Sequence, residues 1–252
     1  NVIGIMNIQF AIQDDQIFVL EVNPRASRTV PFVAKSSGIQ IAKLATKIIM
    51  GKSLKDFKNL INYRDLSLFS VKEPVFPFKK FQNVDVLRGP EMKSTGEVMG
   101  IDKNFYAAFY KSQTAAGINL PKKGTVFLSV KDKDKKELMP IAKKLVKLGF
   151  DLLGTKGTST FLKKNNIPIK TINKISEGSP HVVDFLESKK INLVINTTEG
   201  KTSTGDSYIM RRNTLLTNTP YYITIKGADT AVNSIEMIKK TNLQVMCLQS
   251  IH

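Results

Sequence analysis

The sequence is poor in the residues that build covalent and metal-based frameworks. Its 252 residues include one cysteine, Cys247, and two histidines, His181 and His252. One cysteine excludes a disulfide within the chain, and two histidines are too few for a multi-histidine metal site. Cys247 lies in the apolar run 245–248, which predicts a small buried hydrophobic residue rather than a nucleophile. A chain without disulfides fits a reducing compartment, so we expect a cytoplasmic location.

Long apolar runs are also missing. None reaches the ~18 residues that a bilayer-spanning helix requires, so no membrane span is expected. The first residues carry neither a Met nor a basic segment and run directly into a strand-like pattern, which is unlike a signal peptide. We therefore expect a fragment that starts inside a domain. With 42% apolar and 23% charged residues, the composition is that of a globular protein with a core.

Charge is abundant, but it is not concentrated. The net charge of +17 is divided into +6 over residues 1–120 and +11 over residues 121–252, with no block of five like charges. A basic protein can bind nucleic acid, membranes or phosphorylated small molecules. Aromatic residues do not alternate with basic ones as in base-stacking surfaces, so we expect no nucleic-acid partner. A simple bias towards lysine remains an alternative explanation of the charge.

The start of the chain predicts a β-hairpin with one polar face. Residues 3–13 and 17–25 have strand patterns, and residues 14–16 form a turn. A three-residue turn places Gln9 opposite Glu21 and Asn7 opposite Asn23, so these four side chains project from the same face. The opposite face is almost wholly apolar, and it is expected to carry Met6, Ile8, Phe10, Ile12, Phe18, Leu20 and Val22.

The polar face of this hairpin collects oxygen atoms suited to a hard cation. Carboxylate and amide oxygens are ligands for Mg²⁺, which usually shares its shell with substrate phosphates when the protein supplies one or two carboxylates. Arg25 and Arg28 follow directly and could face those phosphates. An ordinary strand pair with a polar outer face is the alternative, and alternation alone does not decide between the two.

Residues 21–32, EVNPRASRTVPF, resemble the last metal-binding strand of the ATP-grasp enzymes, and specifically the carbamoyl-phosphate synthase large-subunit family. The resemblance implies that Glu21 and Asn23 bind Mg²⁺ or Mn²⁺ together with Gln9. It also implies that ATP is a substrate held near Gln9 and Glu21. Arg25 and Arg28 are catalytic residues by the same resemblance. Gln rather than Glu at position 9 is similar to the second synthase half, which phosphorylates carbamate.

The middle of the chain connects two predicted domains, at residues 1–117 and 118–252. Apolar spacing predicts a helix over 38–50 ended by Gly51, and a second helix over 103–116 precedes a linker at 121–124. The strings 70–73 and 89–100 again resemble the same family, where its second synthase half ends. In relatives regulated by ornithine, a glutamate matching Glu73 contacts that ligand, whereas a solvated surface charge is the alternative.

From Thr125 onward, strand and helix patterns alternate, which predicts an α/β domain with a mainly parallel sheet and helices on both faces. Strands are expected at 125–130, 150–154, 167–172, 191–197, 221–225 and 243–248, and helices at 134–148, 158–165, 180–190, 206–218 and 229–240. Ligands of such sheets bind beyond the carboxyl ends of the strands.

Polar residues gather at four of these strand ends. Ser129 and Lys135 flank the end of the first strand, residues 155–158 join the second to its helix, Lys174 and residues 176–178 follow the third, and residues 196–198 end the most apolar strand. Turn chemistry or helix capping explains each of these alone. Together they predict a site for a phosphate-bearing ligand at one edge of the sheet.

This second domain resembles the methylglyoxal-synthase-like fold, which the C-terminal domain of carbamoyl-phosphate synthase shares with methylglyoxal synthase. The resemblance implies an allosteric site for UMP as inhibitor and IMP as activator, formed by Ser129, Lys135, Thr155, Gly157, Thr158, Lys174, Asn196 and Thr198. Methylglyoxal synthase needs an aspartate after a Gly-Gly pair, where residues 178–181 read GSPH and Asp184 lies inside the next helix. A sensor is therefore favoured over a free-standing lyase.

For the intact subunit, the resemblance implies synthesis of carbamoyl phosphate from bicarbonate, glutamine-derived ammonia and two molecules of ATP, in pyrimidine and arginine synthesis. It also implies a glutaminase small subunit as partner, and association of copies through the C-terminal domain stays open. We expect no synthase activity from these residues alone. Tyr221 matches a residue of ornithine-regulated relatives, but Ile223 stands where they have threonine, so ornithine activation is expected to be weak or absent.

Overall fold

The computed structural model describes residues 2–57, 68–75, 96–197 and 201–251, with the backbone alone for 201–205. The chain divides into two compact units, Asn1–Phe69 with Gln244–His252, and Ser70–Leu243. Of the residues predicted above, Thr198 and residues 89–95 lie outside the described ranges. The domain boundary at 117/118 stays a prediction.

In the first unit, strands β1 (Asn7–Gln13) and β2 (Gln16–Asn23) form the predicted antiparallel hairpin. Gln9 lies opposite Glu21 and Asn7 opposite Asn23, as predicted. The turn itself differs, because it contains two residues, Asp14 and Asp15, both with positive φ. The three-residue turn at 14–16 is therefore wrong, and a register shift between Gln9 and Phe10 restores the predicted pairing.

The register shift also changes which side chains share the apolar face. Phe18 lies opposite Ala11 rather than on the face of Phe10, whose partner is Val19. Phe18 is thus wrongly placed by simple alternation, since one extra residue in a strand inverts the alternation beyond it. The apolar side chains of the hairpin are largely exposed in the described structure, and they include Phe10, Ile12, Ile17, Val19, Leu20 and Val22.

Two helices follow the hairpin, α1 (Thr29–Ser37) and α2 (Ile41–Ile49). Helix α2 therefore begins three residues later than the helix predicted over 38–50, and the sequence did not predict α1. Gly38 separates the two, because its φ of 73° is a left-handed conformation that ends α1. Gly51 ends the second helix as predicted, with its N–H donating to the carbonyl of Ile48 at 3.0 Å.

The second unit begins with a two-stranded sheet, β3 (Phe69–Val75) and β4 (Gly96–Asp102), followed by helix α3 (Phe105–Ala115). Asn104 caps α3 because its side-chain oxygen accepts hydrogen bonds from the N–H groups of Tyr106 and Ala107 at 2.9 and 3.2 Å. The predicted helix over 103–116 is confirmed. Its side chains pack against the main core described below.

The remainder of this unit is a five-stranded parallel sheet in the order β7-β6-β5-β8-β9, with helices on both faces. The predicted α/β architecture is confirmed. The strands are β5 (Gly124–Ser129), β6 (Phe150–Gly154), β7 (Lys170–Thr171), β8 (Leu193–Asn196) and β9 (Tyr221–Tyr222). The helices are α4 (Lys135–Lys147), α5 (Lys156–Lys164), α6 (Val182–Glu187), α7 (Lys201–Thr217) and α8 (Ile225–Lys240).

Alternation along β5 divides the core between the two faces of the sheet. Val126 and Leu128 belong to a cluster with residues of α4 and α8, whereas Phe127 packs with residues of α6 and α7. All three are fully buried. Among the described residues, none of the helices combines the length and the hydropathy that a bilayer-spanning segment requires.

The end of the chain differs from the prediction. Residues 242–247 have no regular structure, and a short 3₁₀ turn, Leu248–Ser250, replaces the strand expected at 243–248. Val245 is 94% exposed, and Cys247 is exposed rather than buried. Both predictions are wrong because a short apolar run becomes a buried strand only when another strand pairs with it, and none of the described strands does.

Gly100 supports the packing of α3 on β4. A Cβ atom at this position would lie 2.0 Å from the carbonyl oxygen of Ala108 and 2.5 Å from the backbone nitrogen of Ser112, both rigid helix atoms. We therefore expect Gly100→Ala to lower the free energy of unfolding by about 3 kcal/mol. Urea unfolding followed by circular dichroism measures this loss.

The matched control is Gly96→Ala on the same strand. A Cβ atom there meets only Val75, at an ordinary contact distance of 3.5 Å. Its free energy of unfolding should stay close to that of the wild-type chain. Equal stability of the two variants would contradict the described contact between α3 and β4.

Candidate functional site

A cavity of about 510 Å³ opens at the carboxyl ends of the central strands of the sheet. Its position is that of ligand sites in parallel α/β sheets. Each predicted allosteric residue within the described ranges lines it, namely Ser129, Lys135, Thr155, Gly157, Thr158, Lys174 and Asn196. The structure therefore brings together residues that are up to 67 positions apart in the sequence.

The loop between β6 and α5 forms one wall. Gly154 ends β6, where a Cβ atom would lie 2.9 Å from the carbonyl oxygen of Leu128, so a glycine lets the neighbouring strands approach. Thr155 then precedes α5, whose first N–H groups have no partners within the helix. The Oγ1 atom of Thr158 accepts a hydrogen bond from Val130 N at 3.1 Å, which fixes the loop against the end of β5.

Lys135 reaches over the start of α5 from the neighbouring wall. Its side chain is 17% exposed, and its Nζ atom lies 3.6 Å from the position that a Cβ atom of Gly157 would occupy. The same Nζ lies 2.7 Å from Oδ1 of Asp132. This hydrogen bond and the positive charge of Lys135 lower the pKa of Asp132.

Lys174 lies on a loop that is held by hydrogen bonds between its own backbone and side-chain groups. Its N–H donates to Oε2 of Glu177 at 2.8 Å, at the start of the short 3₁₀ helix Ile175–Glu177. The side chain of Asn173 donates to the carbonyl of Gly178 at 3.1 Å. These contacts fix the backbone that presents Lys174 to the cavity.

Asn196 forms the floor of the cavity and connects it to α7 and β9. It is 3% exposed, and its Nδ2 donates to the Tyr221 hydroxyl at 2.7 Å and to the Ser207 hydroxyl at 3.1 Å. Burial raises the pKa of Tyr221, so this phenol stays neutral and can accept that hydrogen bond. The amide nitrogen of Asn196 is therefore bonded to protein groups, which connects the floor of the cavity to α7 and β9.

The cavity also contains residues that sequence reasoning missed. Asp132 follows β5, and Asp206, Ser207 and Met210 come from one face of α7. The helix predicted over 206–218 contains the three residues of α7, but the sequence pattern does not give the face of the helix that turns towards the cavity. One signal could have found Asp132, namely its i, i+3 spacing from Lys135.

Asp184 does not belong to the cavity. Its Oδ2 atom accepts hydrogen bonds from His181 N at 2.8 Å and from the Ser179 hydroxyl at 2.7 Å, at the first turn of α6. These hydrogen bonds lower the pKa of Asp184, which caps the first turn of α6.

The hairpin brings the predicted metal ligands onto one face. Gln9 lies opposite Glu21, and Nδ2 of Asn23 donates to Oε1 of Glu21 at 2.9 Å. One carboxylate and two amide groups fit a magnesium ion whose remaining ligands are phosphate oxygens and water. Groups of three or more His, Cys, Asp and Glu that could hold a metal do not occur among the described residues. Arg25 and Arg28 lie on the exposed segment after β2.

Glu73 lies within β3 and is half-buried rather than fully in solvent. Burial and the negative charge of Glu73 raise the pKa of Tyr222 well above its usual range. The Tyr222 hydroxyl donates to Oε1 of Gln113 at 3.0 Å. Ile223 is 58% exposed, and the weak response to ornithine stays a prediction.

Two family models match this chain. The model described as MGS-like domain matches residues 137–223, and the model described as Carbamoyl-phosphate synthase L chain, ATP binding domain matches residues 1–57. Among solved structures, methylglyoxal synthase from Elizabethkingia anophelis is 19% identical, covering 45% of this chain and 79% of that one with a TM-score of 0.37. This likeness carries no argument here.

Curated relatives match nearly the whole chain. The carbamoyl phosphate synthase large chain of Mesorhizobium japonicum is 48% identical over 253 residues, which are 99% of this chain and 22% of the relative. The large chain, C-terminal section, of Methanopyrus kandleri is 47% identical over all of this chain and 48% of the relative. The corresponding C-terminal section of Aquifex aeolicus is 46% identical over 99% of this chain and 50% of the relative.

The chain thus spans between about a fifth and a half of the length of these relatives. The two family models match residues 1–57 and 137–223, and the relatives match nearly the whole chain. The chain belongs to the carbamoyl phosphate synthase large-chain family.

Proposed function

We propose that this chain supplies two parts of a glutamine-dependent carbamoyl phosphate synthase. The first is a nucleoside monophosphate site in the cavity of the parallel sheet, and the second is the metal-binding hairpin of the half that phosphorylates carbamate. In the intact enzyme, a glutaminase small subunit would provide ammonia, and ATP and bicarbonate would be the other substrates. UMP and IMP would be the effectors of the cavity.

The observation that carries the nucleotide site is the combination of a helix N-terminus with lysine side chains in one cavity. The N–H groups that begin α5, together with Lys135 and Lys174, border the same space of about 510 Å³. A phosphate dianion there would accept charge-assisted hydrogen bonds from each of these groups. The volume of the cavity is in the range of small-molecule sites, so the cavity can hold a nucleoside as well as its phosphate.

The same geometry argues against a lyase of the methylglyoxal synthase kind. Such chemistry needs a carboxylate that removes a proton from the substrate, and Asp184 instead caps α6 outside the cavity. Of the two carboxylates that line the cavity, Asp132 is held by Lys135, and Asp206 accepts a hydrogen bond from the Ser176 hydroxyl at 3.4 Å. Binding without chemistry is therefore the better supported function of this domain.

The hairpin would act in catalysis by holding a divalent cation against the phosphates of ATP. When bound, that cation neutralises phosphate charge during phosphoryl transfer. Glu21 supplies the one charged ligand, and Gln9 and Asn23 supply neutral oxygens on the same face. Arg25 and Arg28 follow β2 and would interact with the transferring phosphoryl group.

The test of the nucleotide site is the affinity of the 252-residue chain for UMP, measured by calorimetric titration. Lys174→Ala should weaken binding by roughly tenfold to a hundredfold, because the phosphate loses a charged hydrogen-bond donor. Lys170→Ala is the matched control, since Lys170 lies on the exposed edge strand β7 and does not line the cavity. It removes the same charge and should change the affinity by less than about twofold.

Two outcomes would contradict this proposal. Equal losses for the two variants would show that general charge, rather than the cavity, attracts UMP. Release of methylglyoxal from dihydroxyacetone phosphate by the wild-type chain would show that the domain is a lyase.

A further inference from the structure

The first loop of the cavity contains an acid that the proposed function does not use. Asp132 begins the short 3₁₀ helix Asp132–Asp134, and its Oδ1 atom lies 2.7 Å from Nζ of Lys135. The side chain of Asp132 is 94% exposed, whereas that of Lys135 is 17% exposed. The carboxylate therefore approaches from the solvent side and covers the lysine that faces the space over α5.

We propose that Asp132 is a built-in competitor of the phosphate group, which occupies Lys135 while the cavity is empty and must release it when an anionic ligand binds. This inference rests on the proposed function, because it concerns the affinity of the same site. A phosphate near the start of α5 and the Asp132 carboxylate need the same ammonium group, whose position is fixed over Gly157.

The competition follows from charge and geometry. An ammonium group donates three hydrogen bonds, but two anions on one lysine repel each other at close distance. Asp132 can move into water at little cost because its side chain is almost fully exposed. Its removal therefore leaves Lys135 ready for the ligand, and the resident carboxylate lowers the affinity of the wild-type site. An exposed ion pair of this kind is weak, which keeps the site reversible.

The experiment compares the wild-type chain, Asp132→Asn and Asp151→Asn by titration with UMP and with inorganic phosphate at low salt. Asp132→Asn should bind both anions roughly threefold to tenfold more tightly. Asp151→Asn changes the net charge equally, but Asp151 is exposed on β6 and does not line the cavity. It should alter the affinity by less than about twofold.

A double-variant cycle isolates the ion pair. In a Lys135→Ala background, adding Asp132→Asn should no longer tighten binding, because the lysine that it releases is gone. The gain from Asp132→Asn should also shrink as salt is added, since an exposed ion pair is screened. Circular dichroism melts confirm that all variants are folded.

The outcomes separate the two proposals. If the wild-type chain binds neither UMP nor inorganic phosphate, both the nucleotide site and the competitor role of Asp132 fall. If it binds UMP and Asp132→Asn binds no tighter, or if the two Asn variants gain equally, the role of Asp132 alone is overturned.

Discussion

Replacing Glu21 by Gln in a complete large chain that carries this sequence will reduce formation of ATP from carbamoyl phosphate and ADP by roughly a hundredfold or more. Glu21 supplies the one charged oxygen donor on the polar face of the hairpin, beside Asn23 and opposite Gln9. Its loss removes negative charge that a divalent cation needs while leaving the shape of the side chain intact. Hydrolysis of glutamine by the small subunit should stay measurable.

The matched control is Asp15→Asn, which removes a carboxylate from the turn of the same hairpin. Asp15 has a φ of 60°, and Asn is also common in this left-handed conformation, so the turn should be preserved. The control should keep most of the reverse activity. If Glu21→Gln retains the activity of the control, the assignment of Glu21 as a metal ligand is wrong.

The second large effect concerns the phosphate of the effector. UMP should bind the 252-residue chain roughly a hundredfold more tightly than uridine, because Lys135, Lys174 and the N-terminus of α5 line the cavity that would hold its phosphate. Calorimetric titration of both ligands measures the ratio. Added salt should weaken UMP binding and leave uridine binding nearly unchanged.

IMP and inosine provide the parallel comparison with a different base. Since the phosphate contributes most of the affinity in this account, their ratio should be similar to that of UMP and uridine. Equal affinities of a nucleotide and its nucleoside would contradict the phosphate site and would leave only the fold of the domain standing.

Much of the hairpin site could be predicted from sequence because strand alternation is a strict period. The shared face of Glu21 and Asn23 follows from that period, and the pairing of Gln9 with Glu21, which was predicted from a three-residue turn, is confirmed. The way in which the chain achieves the pairing could not be predicted, since a two-residue turn with a bulge and a three-residue turn give the same partners at this position. Phe18, which lies between the turn and the bulge, is the residue that distinguishes them.

The cavity, like the hairpin, could be predicted from the sequence only in part. Residues that end strands, such as Ser129 and Thr155, could be placed because parallel strands present their carboxyl ends at one edge. Residues from α7, such as Asp206, depend on how a helix rotates against the sheet, which the pattern along the chain does not contain. The wrongly predicted strand at 243–248 has a similar origin, because strand formation depends on a neighbour that is distant in sequence.

The most direct measurement is a crystal structure of the 252-residue chain bound to UMP. The account predicts that the phosphate lies at the N-terminus of α5, within hydrogen-bonding distance of Lys135 and Lys174, with Asp132 turned away from Lys135. A UMP molecule bound elsewhere on the chain, or one in this cavity whose phosphate points into solvent, would contradict the central claim that this edge of the sheet is a nucleotide-phosphate site.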